Sequence, residues 1–430
     1  MAAYPQTLLF HRISEHQPRH WSFRPRTHGY KSSPMSRQPR SRFPGPTLIT
    51  KSEDLAALCT TLRREQYVTI DTEFMRERTY WPELCVVQLG GVDSVAVIDT
   101  LAPELDLAPL GELLADPAVI KVFHACRQDI EIFLLRFGSI PQPMFDTQVA
   151  AMVAGFGDQV GYDTLVSSLT GGHIDKAHRF SDWSRRPLSQ AQIDYAAADV
   201  TYLRGVYETL RDRLEKEGRL AWVSEEMAVL TDPATYRTDP VTMWERLRPR
   251  TNNRRYLGLL RAICAWREIE AQRLNIPRQR LIKDESLLEI AATSPADAES
   301  LAQARGVGRG FAEGRSGATL LAAIAEARAL PESDLPAIPR GRENGSRPSP
   351  ALVSLLKVLL AAKSEQHNVA PKLLASSEDL DRLATEAEPD VPALTGWRRD
   401  VFGQDALALK NGKICLGVDG KQIKLITTTA

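Results

Sequence analysis

Three β-branched runs crowd into residues 67–98: Tyr67-Val-Thr-Ile-Asp-Thr-Glu73, Leu84-Cys-Val-Val-Gln-Leu89 and Ser94-Val-Ala-Val-Ile98. Turn-like segments separate them, and strands joined so closely suggest an antiparallel meander. A fourth run, Val119-Ile-Lys-Val-Phe123, lies between helical stretches. The arrangement predicts a mixed α/β sheet covered by helices, spanning residues 46–216.

After this the pattern turns helical. Over residues 240–330, Tyr256, Leu259, Leu260, Ile263 and Trp266 recur at helical spacing as a core-facing stripe. Residues 331–349, rich in proline, glycine and charge, read as a linker, and 350–405 as a second helical module. Both helical regions pass an Asn-to-Pro stretch after a long helix, Asn275–Pro277 and Asn368–Pro371, which suggests a degenerate repeat. Asn411-Gly412 and Asp419-Gly420 are hairpin-turn dipeptides, so residues 406–430 are expected to form a β-hairpin appendage.

A chain of 430 residues is more than one ordinary domain needs, in keeping with these divisions. Its 54 basic and 54 acidic residues exclude a strongly basic coat protein. They do not exclude a nucleic-acid substrate, because local patches bind phosphate. Residues 1–45 hold many arginines against the single acid Glu15 and show no apolar periodicity. They read as a disordered basic arm, an organelle transit peptide, or a stretch ahead of a true start at Met35. No apolar run approaches a membrane span, so no membrane partner is expected. The five scattered cysteines lack metal-ligand spacing and read as buried thiols of a reducing cytoplasm.

The chemistry lies in the acids. Asp71 and Glu73 alternate along one predicted strand and so point to one face, where two close carboxylates repel. Something positive should lie between them. Asp129 opens a helix with the stripe Ile130, Phe133, Leu134 and Phe137. Tyr195 and Asp199 are four apart on an alanine-rich helix, hence on one side of it. Taken singly, each has a plainer explanation: a solvated edge, a first-turn acid, an exposed helix face. Together, hard oxygen ligands without partner cysteines or a histidine pair select Mg²⁺ or Mn²⁺. Two such ions are a known device for phosphodiester cleavage.

Asp71-Thr-Glu73, His124-Ala-Cys-Arg-Gln-Asp129 and Tyr195-x-x-x-Asp199 resemble the three motifs of DEDDy 3′→5′ exonucleases. Phe74-Met-Arg-Glu-Arg-Thr-Tyr-Trp-Pro82 and Asp182-Trp-Ser-Arg-Arg-Pro-Leu188 resemble the ribonuclease D branch in particular, and residues 240–330 an HRDC domain. The resemblance implies a ribonuclease H-like exonuclease domain followed by all-helical HRDC-type modules. It implies that Asp71, Glu73 and Asp199 hold the metal that activates water. Asp71 would bridge to a second ion, Asp129 would complete that site through water, and Tyr195 would position the attacking water. The implied activity is 3′→5′ exoribonuclease cleavage by a monomer, releasing nucleoside 5′-monophosphates. The implied substrates are structured RNAs with single-stranded 3′ tails, tRNA precursors foremost. A DNA exonuclease of the same family and an inactive nucleic-acid scaffold are the rivals; all four acids and Tyr195 are present, which counts against the second.

Around these motifs, Lys176, His178, Arg179, Arg185 and Arg186 surround Trp183. Cations with an aromatic face can grip a single strand, so Lys176, Arg179, Trp183, Arg185 and Arg186 are candidate substrate contacts. The alternative is a solvated loop anchored by one tryptophan. His124 reads as structural, and Asp146 as a helix N-cap rather than a fifth site acid.

Overall fold

The computed structural model describes residues 45–428, apart from 248, 250, 252 and 337–347. The basic arm and most of the expected linker therefore lie outside the described residues.

Six strands form the principal sheet: β1 (Thr47–Ile49), β2 (Tyr67–Met75), β3 (Glu83–Gly90), β4 (Val95–Asp99), β5 (Ile120–Phe123) and β6 (Met144–Asp146). Their spatial order is β1-β4-β3-β2-β5-β6. The meander β2-β3-β4 is antiparallel, while β1 on one side and β5 and β6 on the other run parallel to their neighbours. β1 and β6 were not legible beforehand: three residues each are too few to display a period.

Side-chain alternation sorts the strand residues onto two faces. Val68, Ile70, Val87, Leu89, Ala96 and Ile98 enter the larger core. There they meet helices α1 (Ser52–Leu62), α2 (Ala108–Ala115), α3 (Arg127–Phe137), α4 (Thr147–Val153) and α5 (Tyr162–Thr170). The opposite face carries Val86, Val95 and Val97 against the first half of the long helix α6 (Gln190–Lys216). A capping box between Ser189 and Gln192 starts α6. Ala196 and Ala197 bring it close to the sheet. Gly90 permits the closest approach, since a Cβ there would lie 2.3 Å from Thr69 Oγ1 and 3.1 Å from the Val200 carbonyl. Thr69 Oγ1 donates to that carbonyl at 2.8 Å, fixing α6 on β2. The next helix, α7 (Leu220–Thr231), contributes Val223 and Met227 to the larger core, so this body continues past Lys216.

The helical region opens on 3₁₀ turns over Pro240–Leu247 and continues as α8 (Arg254–Leu274). Leu257, Leu260, Ile263 and Cys264 of α8 are buried. Tyr80, from the loop after β2, is buried in the same cluster. Its hydroxyl bonds Glu268, and it accepts from Gln272 at 3.1 Å and Arg278 at 3.0 Å. The sheet body and the helical region thus share one polar knot.

The two helical regions share an element order. α8 ends at left-handed Asn275 and is followed by helices Arg278–Leu281 and Asp284–Thr293. Helix Pro350–His367 ends at left-handed Asn368 and is followed by Pro371–Leu374 and Ser377–Thr385. The hairpin pairs β7 (Ile414–Asp419) with β8 (Gln422–Thr427). Only Asp419-Gly420 makes its turn. Asn411-Gly412 instead closes helix Gln404–Lys410, where the Lys413 amide returns to the Ala408 carbonyl at 2.9 Å.

Candidate active site

β2 and α6 cross where their acids face each other. Alternation puts Asp71 and Glu73 on the α6 side of the sheet, and α6 lays Asp199 against them. One carboxylate oxygen from each of the three lies within 4.8 Å of the others. The Tyr195 hydroxyl, one turn earlier, hydrogen-bonds Asp199. Asp129 approaches from the first turn of α3 and accepts a hydrogen bond from Thr72, the residue between the two strand acids. Arg76, just past β2, clamps buried Glu131 of α3 at 2.8 Å and ties the two elements together.

The acids suppress one another's ionisation. Burial and then the Asp199 charge raise Asp71 well above the usual carboxylate range, and burial and then Asp71 do the same to Asp129. Glu73 is pushed up to about 10 by burial and by Asp71, Asp199 and Asp129. Asp199 rises to about 7 through burial, restrained by the Tyr195 bond. Crowded hard oxygens that cannot all be charged alone fit a divalent cation, which removes the repulsion by its own charge. A divalent cation is the positive partner that this donor set would accept between Asp71 and Glu73.

A cavity of about 360 Å³ opens over these acids, with His124, Tyr162, Lys176 and Arg179 along its wall. Lys176 pairs with Asp163 at 2.8 Å.

The sequence agrees with this geometry. Residues 46–215 match a 3′-5′ exonuclease family and residues 257–324 the HRDC domain. A ribonuclease D of Granulibacter bethesdensis is 96% identical over 92% of this chain and all of its own length. One from Gluconacetobacter diazotrophicus is 69% identical over 91% of this chain and all of its own. The chain belongs to the ribonuclease D family. The crystal structure of Escherichia coli RNase D, an exoribonuclease involved in structured RNA processing, superposes with a TM-score of 0.73 at 30% identity. That match covers 86% of this chain and 99% of the other. A 3′→5′ exoribonuclease with divalent-metal dependence is what this family membership gives the chain.

Two of the expected substrate contacts lie away from this cavity. Trp183 is 2% exposed and belongs to the core under α6. It has no free face for a base; its ring packs 6.0 Å from that of Tyr195 and steadies it. Arg186 is likewise spent inward, on Asp99 at 2.6 Å and on the carbonyls of Cys85 and Trp183. Arg185 stays largely exposed, paired with Asp182 at 3.2 Å. Of the basic loop, only Lys176 and Arg179 reach the cavity wall.

Asp146 is an N-cap. One oxygen accepts from Gln148 N at 2.7 Å and Ala125 N at 3.0 Å, the other from Cys126 N at 2.8 Å. His124, bonded through Nδ1 to Thr147 at 3.0 Å, is held in place as a structural histidine but also lines the cavity. Sequence reasoning overlooked Thr72 and Tyr162, whose hydroxyl donates to the Asp199 carbonyl. Thr72 could have been suspected, lying between two site acids; Tyr162 carries no local signal.

Proposed function

We propose that this ribonuclease D trims 3′ ends of structured RNAs, tRNA precursors foremost, releasing nucleoside 5′-monophosphates. The observation that carries the reading is the convergence of Asp71, Glu73 and Asp199 with Tyr195 at the mouth of a cavity flanked by Lys176 and Arg179. Asp71, Glu73 and Asp199 would hold one divalent ion; Asp71 and Asp129, the latter through water, a second. Two ions, Mg²⁺ or Mn²⁺, would supply Lewis acidity at the scissile phosphate and lower the pKa of the attacking water.

The chain's own groups do the rest. Tyr195 has its ionisation raised by burial and then by Asp199, so it stays a neutral phenol. It can orient a water by hydrogen bonding but not deprotonate it. Lys176 and Arg179 draw the phosphates of the tail inward. Water adds to the terminal phosphorus, the bond from phosphorus to the preceding 3′ oxygen breaks, and that oxygen leaves as a new 3′-hydroxyl. The helical modules would hold the RNA body; beside α8 a groove of about 500 Å³ carries Arg261 and Arg315 on its edge, with Arg273 there paired to Glu270 at 2.7 Å.

The test uses 5′-labelled RNA and DNA of one sequence, each with a single-stranded 3′ tail, with Mg²⁺, Mn²⁺ or EDTA. A metal-dependent ladder shortening from the 3′ end, faster on RNA, is expected. Asp199→Asn should lower the rate by at least about 1,000-fold while RNA binding and folding persist. Trimming by that variant at near native rate would sink the site assignment.

A further inference from the structure

Among the described residues, the buried side-chain atoms without a hydrogen-bond partner are both amide atoms of Gln88 and the indole nitrogen of Trp183. The amide is the more demanding of the two, since it needs donors and an acceptor at once. Gln88 is 0% exposed. It sits on β3 directly across from Asp71 on β2, with Val97 of β4 on its other side. All three side chains share the face that α6 covers, where Val86, Val97, Ala196 and Val200 pack; the other polar groups near it on β2 are Glu73 and Thr69, whose hydroxyl is already spent on the Val200 carbonyl.

Opposed residues of an antiparallel pair have Cβ atoms about 4.5–5.5 Å apart. The lone amide of an apolar layer therefore lies beside the carboxylate at the centre of the site. In the metal-free fold it gains nothing there: a methionine or leucine would fill the space with no polar group left unpaired. A carboxylate that binds a cation through one oxygen keeps lone pairs on the other, and its direction is set by whichever donor takes them. The Gln88 side chain turns about three torsions, and Asp71 is within its reach.

We propose that Gln88 is a positioning residue whose amide N–H orients the Asp71 carboxylate for the divalent cation. The inference rests on the metal-site reading above and adds to it a residue outside the three sequence motifs. Its signature is a conflict of signs, because the amide costs stability without metal and contributes to metal affinity with it.

The experiment compares the full chain with Gln88→Met, which keeps volume without a donor, and Gln88→Leu as a second shape. EDTA-treated protein is melted, then titrated with MnCl₂ by calorimetry, and kcat and KM are measured on a tailed RNA. Without metal, at least one variant should melt at or above the native temperature. Mn²⁺ affinity should fall about 10–100-fold in both, with kcat falling and KM little changed. Native Mn²⁺ affinity in either folded variant would overturn the proposal. So would melting of both well below native without metal, which would mean that the amide bonds something in the empty fold. If the native chain itself binds no Mn²⁺, the metal site fails and the role of Gln88 with it.

Discussion

Asp71, Glu73 and Asp199 bind protons more tightly in the folded chain than in the unfolded one. For Asp199 the value moves from 3.8 to about 7, and for Glu73 from 4.5 to about 10. A raised folded value means that stability is complete below the unfolded value and is lost as pH rises towards the folded one. The metal-free protein should therefore melt progressively lower from about pH 5 to 9, by roughly 5 °C or more, and saturating Mg²⁺ should flatten that decline. Scanning calorimetry in EDTA and in Mg²⁺ checks this, and a metal-free Tm that is level or climbs with pH would contradict it. The strand acids could be found from sequence because alternation is a local rule. Trp183 was misread because its burial depends on Val86, Val97 and Ala196, which arrive from distant segments. Gln88 carries no local signal: a glutamine in a β-branched run fits a solvent-facing position as well as the buried one it holds.

Elements place these side chains through their ends. Asp146 ends β6, caps α4 and holds the amides of Ala125 and Cys126 at the entrance to α3. Ala125 sits there at φ +57°, a left-handed conformation that needs such support. An ordinary cap is worth about 1 kcal/mol, but here further N–H groups lose their partner too. Asp146→Ala should cost roughly 3 kcal/mol in urea unfolding and, by loosening α3 and with it Asp129, about tenfold in kcat. A loss of stability below about 1 kcal/mol would show that water replaces the carboxylate. The N-cap role was readable from the sequence, whereas the second role, at α3, depends on a parallel strand pair too short to announce itself. Asn411-Gly412 shows the converse: a dipeptide suited to a hairpin serves equally well to end a helix.

Across the whole molecule, the sheet body is held to both helical regions, by different means. On one side stands the Tyr80 knot; on the other, Trp222 of α7 stacks on Trp397 at 4.4 Å and 7°. Glu226 receives the Trp397 indole at 3.2 Å and bonds Arg398, and the Ala370 amide reaches the Met152 carbonyl at 2.9 Å. Trp397→Ala should cost about 3–5 kcal/mol locally. Hydrogen exchange should quicken over residues 350–410 and not over the sheet body, while turnover of a short unstructured oligonucleotide stays within about twofold. Faster exchange in the sheet strands would show that the two regions unfold together. The order of these regions was legible from periodicity, but not their fastening, which uses side chains that sequence alone would assign to each region's own core. One local irregularity also reaches beyond its place. The register of β2 against β3 slips between Glu73 and Phe74, immediately after the second acid. Inserting or deleting one residue within the regular part of β2 would exchange the two faces and turn the acids into the apolar layer. Past the slip the pairing runs on for two residues, Phe74 against Leu84 and Met75 against Glu83, so an added residue there would pull Arg76 and Tyr80 from their partners while leaving the acids on their face.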